Sequence, residues 1–268
     1  MNGRVALITG ASSGIGEACA RRLQELGFRV YGTSRSGEGG SFPYAMLCVD
    51  VTDERSVARA VETVLSREGR IDIAVNNAGI ALAGPVESTT VAEAQRQFDV
   101  NFFGALRICR AVLPAMREQG SGYIVSVGSI GGLIAIPFQP MYSASKFALE
   151  GMMESLRLEV RRFGIRVVLI EPGDTKTPIT AHRILTSDSG AKPVYRSFDA
   201  ALKRMAEDEQ GGPGPEGVAR LLERVVNTAE PRLRYTCGPP VQRAAVWLKR
   251  LLPNSVLEYG MRKYYCLD

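Results

Sequence analysis

Three side chains near the middle of the chain have the types and spacing of a proton-transfer site. They are Ser129, Tyr142 and Lys146, the last two within Tyr142-Ser143-Ala144-Ser145-Lys146. Tyr142 and Lys146 are four residues apart, so a helix places both on one face, one turn from each other. A free phenol titrates near ~10 and exchanges protons poorly at neutral pH, whereas an ammonium fixed beside it favours the phenolate. Lowering that pKa by about 3 units asks roughly 4 kcal/mol of the site, within reach of a partly buried lysine together with a cationic cofactor. Ser129 precedes Tyr142 by 13 residues and follows the apolar run Tyr123-Ile124-Val125-Ser126-Val127. A strand ending there aims the serine hydroxyl at the phenol from a second element. Two elements converging on one oxygen is what carbonyl reduction requires. Taken alone, the Tyr–Lys pair equally describes a solvated lysine beside a core tyrosine.

Stepping outward, the elements that must carry these groups are legible as a strand–helix alternation. Apolar β-like runs fall near 4–9, 28–34, 45–49, 71–76, 122–128, 165–171 and 232–236. Helical patterns fall near 14–26, 54–67, 90–119, 141–163, 215–228 and 241–251. Alternation of this kind predicts parallel βαβ units in an α/β fold: a single-domain, Rossmann-type doubly wound sheet of about seven strands with helices on both faces. The first strand runs directly into Gly10-Ala11-Ser12-Ser13-Gly14-Ile15-Gly16 and then a helix. That order brings backbone N–H groups and a helix N-terminus onto a pyrophosphate, and glycines let the chain turn tightly and approach it. The spacing of Gly10, Gly14 and Gly16 is not the common G-x-G-x-x-G. Gly37 to Ser41 reads as a flexible loop, and Gly211-Gly212-Pro213-Gly214-Pro215 as a breaker before a late helix.

Thr9 to Gly16 (TGASSGIG), Asn76 to Gly79 (NNAG), Asn101 in Asp99-Val100-Asn101, the Ser129–Tyr142–Lys146 set and Pro172-Gly173-Asp174-Thr175-Lys176-Thr177 follow one another in order. Together they resemble the short-chain dehydrogenase/reductases in their compact form, over roughly residues 3 to 180. The resemblance implies roles. Tyr142 is the acid that protonates the carbonyl oxygen, or the base in the reverse direction, and Ser129 stabilises charge on that oxygen. Lys146 binds the nicotinamide ribose and depresses the tyrosine pKa. Asn101 holds a water linking Lys146 to solvent; its alternative is an asparagine that only kinks a helix or bridges a strand. Gly10, Ser12, Ser13, Gly14, Ile15 and Gly16 cradle the cofactor, and Asn77, Ala78 and Gly79 line it. Asp50 and Val51 meet the adenine, although Asp50 also fits a turn or helix N-cap near Thr52-Asp53. Pro172, Gly173, Thr175 and Thr177 fix the nicotinamide face. Thr175 departs from the β-branched apolar residue often found there. By the same resemblance residues 178–212 form a lid over the substrate, 231–268 form a C-terminal extension, and the protein is a homodimer or other homo-oligomer. The expected contact uses the helices at 90–119 and 141–163, through Phe102, Phe103, Leu106, Met152 and Met153.

The second strand ends in Ser34 and Arg35, where NAD-binding chains usually carry an acid for the ribose 2′-hydroxyl. A guanidinium suits a 2′-phosphate as charge and as bidentate donor, so the expected cofactor is NADP(H); the alternative for Arg35 is a solvated surface residue. Leu133, Ile134, Ile136, Phe138, Met141, Ile179 and Tyr195 are the expected pocket, and an apolar pocket favours a lipophilic alcohol or ketone. Steroid, retinoid, fatty-ketone and polyketide substrates all fit that description, and the tail after Pro231 resembles the hydroxysteroid and retinol dehydrogenases. A 3-oxoacyl-thioester carrier substrate would instead need a basic docking surface, for which Lys176, Arg183, Lys192, Arg196, Lys203 and Arg204 are available. A non-catalytic NADP(H) sensor or scaffold would not need the tyrosine and lysine that this chain keeps.

Other chemistries lack their partners. Ser143 to Lys146 fits S-x-x-K without an accompanying S-D-N and K-T-G set. A Ser-His-Asp hydrolase would have to use the single histidine, His182, and no zinc-ligand spacing is present. The 268 residues are 45% hydrophobic, enough for one large core. Five cysteines without a C-x-x-C pair suggest reduced thiols in a cytoplasmic protein, and a first strand beginning near Arg4 leaves no room for a secretory signal. The net charge of +5 favours anionic ligands or a lipid surface, while no basic run with interleaved aromatics speaks for nucleic acid. Val241 to Leu252 mixes apolar residues with Arg243, Lys249 and Arg250. It reads either as a helix packed on its own domain or a second subunit, or as a membrane-surface helix.

Overall fold

The computed structural model of the chain describes residues 3–37, 41–187, 194–249 and 251–267. Lys192, Arg250 and positions 38–40 of the glycine-rich loop lie outside the described residues. Strands β1 (Val5–Thr9), β2 (Arg29–Ser34), β3 (Ala45–Cys48), β4 (Ile73–Asn76), β6 (Gly122–Val127), β7 (Ile165–Pro172) and β9 (Arg234–Cys237) form one sheet. Its order is β3-β2-β1-β4-β6-β7-β9, and every neighbouring pair is parallel. The order reverses between β1 and β4, the switch point where ligands bind in such sheets. Side chains alternate across the sheet with period two. On β1, Val5 and Leu7 join one core layer while Ala6 and Ile8 join the other; on β7, Val167 and Leu169 part from Val168 and Ile170 in the same way. Both faces are covered, so the central strands are continuous apolar runs rather than alternating ones.

Helices α1 (Gly14–Glu25) and α7 (Glu216–Val226) cover one face, and α2 (Glu54–Glu68), α4 (Gly104–Gln119) and α5 (Pro140–Val160) cover the other. Their ends follow local chemistry. Asp53 caps α2 by accepting from the Arg55 N–H, Gly69 and Gly120 close α2 and α4 in the left-handed conformation, and Pro140 opens α5 at its first turn. The helix expected over 90–119 divides into α3 (Val91–Phe98), started by a Thr90–Glu93 capping box, then a π turn (Asp99–Phe103), then α4. Four further elements lie outside the strands and helices expected from the sequence. The two-residue strands β5 (Leu82–Ala83) and β8 (Ile184–Leu185) pair in parallel, helix α6 (Phe198–Gly211) occupies the segment expected as a lid, and α9 (Asn254–Tyr264) follows α8 (Pro240–Leu248) in the tail. Among the residues expected at a subunit contact, Phe103 is exposed, but Met153 points into the core, fully buried, and cannot meet a second copy.

Candidate active site

Strand β6 ends at Val127, and the chain turns through Gly128 and Ser129 into a short 3-10 turn, Ile130–Gly132. The Ser129 hydroxyl accepts from the Gly131 N–H at 3.0 Å and is itself hydrogen-bonded to the Tyr142 phenol. Glycine is needed in this turn because of what it packs against. A Cβ on Gly131 would crowd the Ser129 Oγ and the Tyr142 ring, each at 3.2 Å, and one on Gly132 would press on the Lys146 backbone at 3.1 Å. The serine and the helix carrying Tyr142 are thus held together by two residues without side chains.

Lys146 is buried, 6% exposed, and its ammonium donates to the Val127 carbonyl at 2.8 Å while standing 5.9 Å from the centre of the Tyr142 ring. Burial pulls its pKa down to about 8, opposed by the charge of Glu150. For Tyr142 the sequence leads one to expect a phenol made acidic by the lysine together with a cationic cofactor. Burial raises its pKa; the bond from Ser129 and the charge of Arg183 oppose the rise, while Glu209 and Asp174 add to it. The lysine, for its part, spends a hydrogen bond on a backbone carbonyl of β6.

Asn101 sits in the π turn between α3 and α4. Its Oδ1 accepts from the Ile80 N–H at 2.9 Å, and its Nδ2 donates to the Ile80 carbonyl at 3.1 Å and the Ser145 hydroxyl at 3.2 Å. A cavity of about 10 Å³ lies between it and Lys146, lined also by Asn76, whose Oδ1 has no partner. That is the space of one water molecule with polar partners on more than one side.

Behind the lysine is a buried charge cluster that the sequence reading missed. Glu150, one turn along α5 and 6% exposed, accepts from Arg234 Nε at 2.8 Å. The same nitrogen stands 3.6 Å from Glu171, which accepts from Thr236 at 2.8 Å. Burial raises the Glu150 carboxyl to about 7, with Arg234 opposing and Glu171 adding to the rise. The available signal was its place four residues after Lys146, on the same helix face.

A cleft of about 1940 Å³ runs past these groups along the carboxyl ends of the strands. At one end it is lined by Gly10, Ser12, Ser13, Gly14, Ile15, Ser34, Arg35, Asp50 and Val51; Asn77, Ala78 and Gly79 follow, then Ser129, Tyr142, Lys146, Pro172, Gly173, Thr175 and Thr177. Gly10 and Gly14 have left-handed φ of 64° and 56°, and a Cβ on Gly10 would lie 2.9 Å from the Ala78 Cα. Only glycine brings the backbone this close. Ser13, at the N-cap of α1, makes no side-chain capping bond, so the first-turn N–H groups are available to an anion. Gly16 is not on the wall; a Cβ there would run into the Gly10 carbonyl and the Asn77 amide, so it sets helix–strand packing. Arg35 is exposed on the wall and forms no ion pair among the described residues. Asp50 accepts from the Thr52 N–H at 2.9 Å and hydroxyl at 2.8 Å, bonds that hold its carboxyl below the usual range. These residues fit a dinucleotide, and the cleft volume leaves room for a second ligand.

Of the expected substrate residues, Ile134, Ile136 and Ile179 line the cleft, whereas Leu133, Phe138, Met141 and Tyr195 do not. Phe138, at φ 58°, packs edge-on against Tyr195 and Phe198, and Tyr195 donates to Glu87 at 2.9 Å. These aromatics join the segment before α6 to the body. The remaining wall comes from Asp174, His182, the end of α6 and the tail, where Val241, Leu248, Leu257 and Met261 face the cleft. Asp174 forms no ion pair among the described residues; burial raises it to about 6, and Gln242 donates to it.

Comparison with known proteins gives a consistent result. Residues 4–187 match the short chain dehydrogenase family. A 3-ketodihydrosphingosine reductase of Bacteroides thetaiotaomicron is 41% identical over 268 residues, 100% of both chains. Retinol dehydrogenase 8 of Bos taurus is 35% identical over 252 residues, 86% of this chain and 80% of the relative. The crystal structure of a short-chain dehydrogenase from Streptomyces avermitilis superposes with a TM-score of 0.83 at 30% identity, covering 99% of each chain.

Proposed function

The chain belongs to the short-chain dehydrogenase/reductase family, in the branch with retinol and hydroxysteroid dehydrogenases, and we propose that within it the protein is an NADP(H)-dependent reductase of a long-chain ketone. The observation that carries the reading is the convergence of Ser129, Tyr142 and Lys146 on the cleft that also holds the glycine turn and Arg35. When bound, the nicotinamide supplies or accepts the hydride. Tyr142 delivers the proton to the carbonyl oxygen, and Ser129, already bonded to the phenol, stabilises the charge that develops there. Lys146 holds the nicotinamide ribose. Asn101 and the small cavity beside the lysine would link its side chain to solvent, so that Lys146 regains from water a proton it has given up. Burial raises the phenol's pKa, which keeps on Tyr142 the proton that it delivers in the reductive direction; alcohol oxidation would instead draw on the positive charge of the oxidised cofactor. Arg35 selects the 2′-phosphate.

A 3-keto sphingoid base is the favoured substrate. Its type is named by a relative aligned over the whole chain, and it combines an alkyl chain with an amine. The apolar wall from Ile134, Ile179, Leu248 and Met261 suits the alkyl chain, and the Asp174 carboxyl, outside any ion pair among the described residues, suits the ammonium. Of the segment 178–212, in which 188–193 lie outside the described residues, Pro178, Ile179, His182 and Ile184 line the cleft and support its reading as the cover. The test is NADPH consumption against 3-ketodihydrosphingosine, a steroid ketone, retinal and an acetoacetyl thioester, with Tyr142→Phe as control. Turnover of the sphingoid ketone falling roughly 10²–10⁴-fold in the variant is expected. A Tyr142→Phe enzyme keeping more than about a tenth of its activity overturns the acid assignment, and preference for the thioester overturns the substrate.

A further inference from the structure

We propose that α8 and α9 dock the protein onto the surface of an anionic lipid bilayer. No residue of either helix is fully buried; α8 meets its own domain through Gln242 at Asp174 and Lys249 at the Leu133 carbonyl, and the rest of the apolar stripe of Val241–Leu252 is left exposed or half-buried. Trp247 is 62% exposed, Leu251 63% and Tyr259 64%. Val241, Leu248 and Val256 are exposed and line the cleft as well, so the apolar surface is continuous with its rim.

The occupant follows from charge and continuity. Between residues 240 and 267 the sequence has five basic residues, Arg243, Lys249, Arg250, Arg262 and Lys263, against one acid, Glu258. Large apolar side chains beside Lys and Arg on short helices are the pattern of an interfacial element, in which the apolar face enters the headgroup boundary and the cations meet anionic lipid. A second copy of the chain would bring the same positive charge against itself. Among the described residues no helix is long and apolar enough to cross a membrane, so the helices lie on the bilayer. The docking does not depend on which ketone is reduced; that a bilayer-dissolved substrate enters the cleft at this rim rests on the reading above.

Trp247 is the only tryptophan of the chain, so its fluorescence reports the patch directly in the wild-type protein. With vesicles of mixed phosphatidylcholine and phosphatidylglycerol, its emission is expected to shift to the blue and the protein to float with the lipid. Affinity should exceed that for pure phosphatidylcholine by more than about tenfold, since each basic residue near an anionic leaflet is worth roughly a factor of five. Leu251→Asp with Tyr259→Asp should abolish flotation while turnover of a water-soluble short-chain ketone stays at the wild-type rate, which also shows that the variant is folded. Absence of flotation and of a spectral shift overturns the proposal. So does flotation that survives in the double variant, or an emission shift that tracks protein concentration without lipid, the signature of contact between copies. Failure on 3-ketodihydrosphingosine with flotation intact would sink the substrate assignment alone.

Discussion

Replacing Lys146 by methionine should abolish catalysis and yet make the protein more stable near neutral pH. The ammonium is 6% exposed, and burial takes its pKa from 10.5 down to about 8. That difference, about 2.5 units at 1.36 kcal/mol each, means that keeping the charge inside costs the folded state about 3 kcal/mol. The direction with pH follows. Below about pH 8 both folded and unfolded chains hold the proton and the full penalty applies. Between about 8 and 10.5 the unfolded chain keeps a proton that the folded one has released, so wild-type stability rises with pH. Methionine has similar length and no charge to bury. It loses the bond from Nζ to the Val127 carbonyl and leaves that oxygen unpaired, which together cost about 2 kcal/mol. The net gain is about 1 kcal/mol at pH ~6.5, or roughly 2–4 °C in Tm. At pH ~9.5 the penalty on the wild type has fallen to about 1 kcal/mol, so the ordering of the two proteins reverses. Urea unfolding of both at the two pH values measures this, and the change in the gap, about 2 kcal/mol, is the decisive quantity. A gap independent of pH, or a variant less stable at pH ~6.5, refutes the picture of a penalised buried cation.

Three other perturbations test neighbouring parts of the argument. Arg35→Asp removes a charge-assisted partner for the 2′-phosphate and puts a like charge beside it; NADPH affinity, measured by fluorescence titration, should drop by roughly tenfold to a hundredfold with NADH affinity little changed, and an unchanged NADPH affinity excludes the selectivity role. Gly16→Ala sets a methyl against the Gly10 carbonyl and Asn77 amide and should destabilise by roughly 1–3 kcal/mol in urea melts; a neutral result means the turn can give way. Glu150→Gln keeps the shape and deletes the negative charge that holds the Lys146 pKa up, so the alkaline limb of the kcat/KM profile should move to lower pH. An unmoved limb shows that the carboxylate does not act through the lysine.

The sequence was most readable where one local rule determined the outcome. The central strands β1, β4, β6 and β7 are largely apolar runs between two faces that both need covering, and Gly10 and Gly14 stand where the left-handed backbone demands glycine. It was least readable where tertiary contacts decide. Strands β5 and β8 have two residues each, too few for any period, and exist because Ile184 and Thr186 donate to the Ala81 and Ala83 carbonyls. The hydrophobic residues of Val241–Leu252 were visible as a stripe, but nothing local says that some of them wall a cleft. Phe138 and Tyr195 have the side chains of a pocket; only the fold shows that they meet Phe198 and each other. The rise of the Tyr142 pKa was hidden for the same reason, because spacing along a helix does not say how deeply the fold buries the phenol.

The π turn at Asp99–Phe103 has a consequence for how such a protein can change. A wide turn accommodates one residue more than regular helix, and each residue turns an α-helix by about 100°. Excising a single position there would let α3 and α4 fuse into an ordinary continuous rod with its hydrogen bonding intact. Asn101 would then swing off the Ile80 backbone and Ser145, leaving the lysine without its neighbour across the small cavity. The same rotation would take buried Gln97 from the Leu82 N–H and the Ile80 carbonyl, so one wide turn serves the fold and the catalytic centre together.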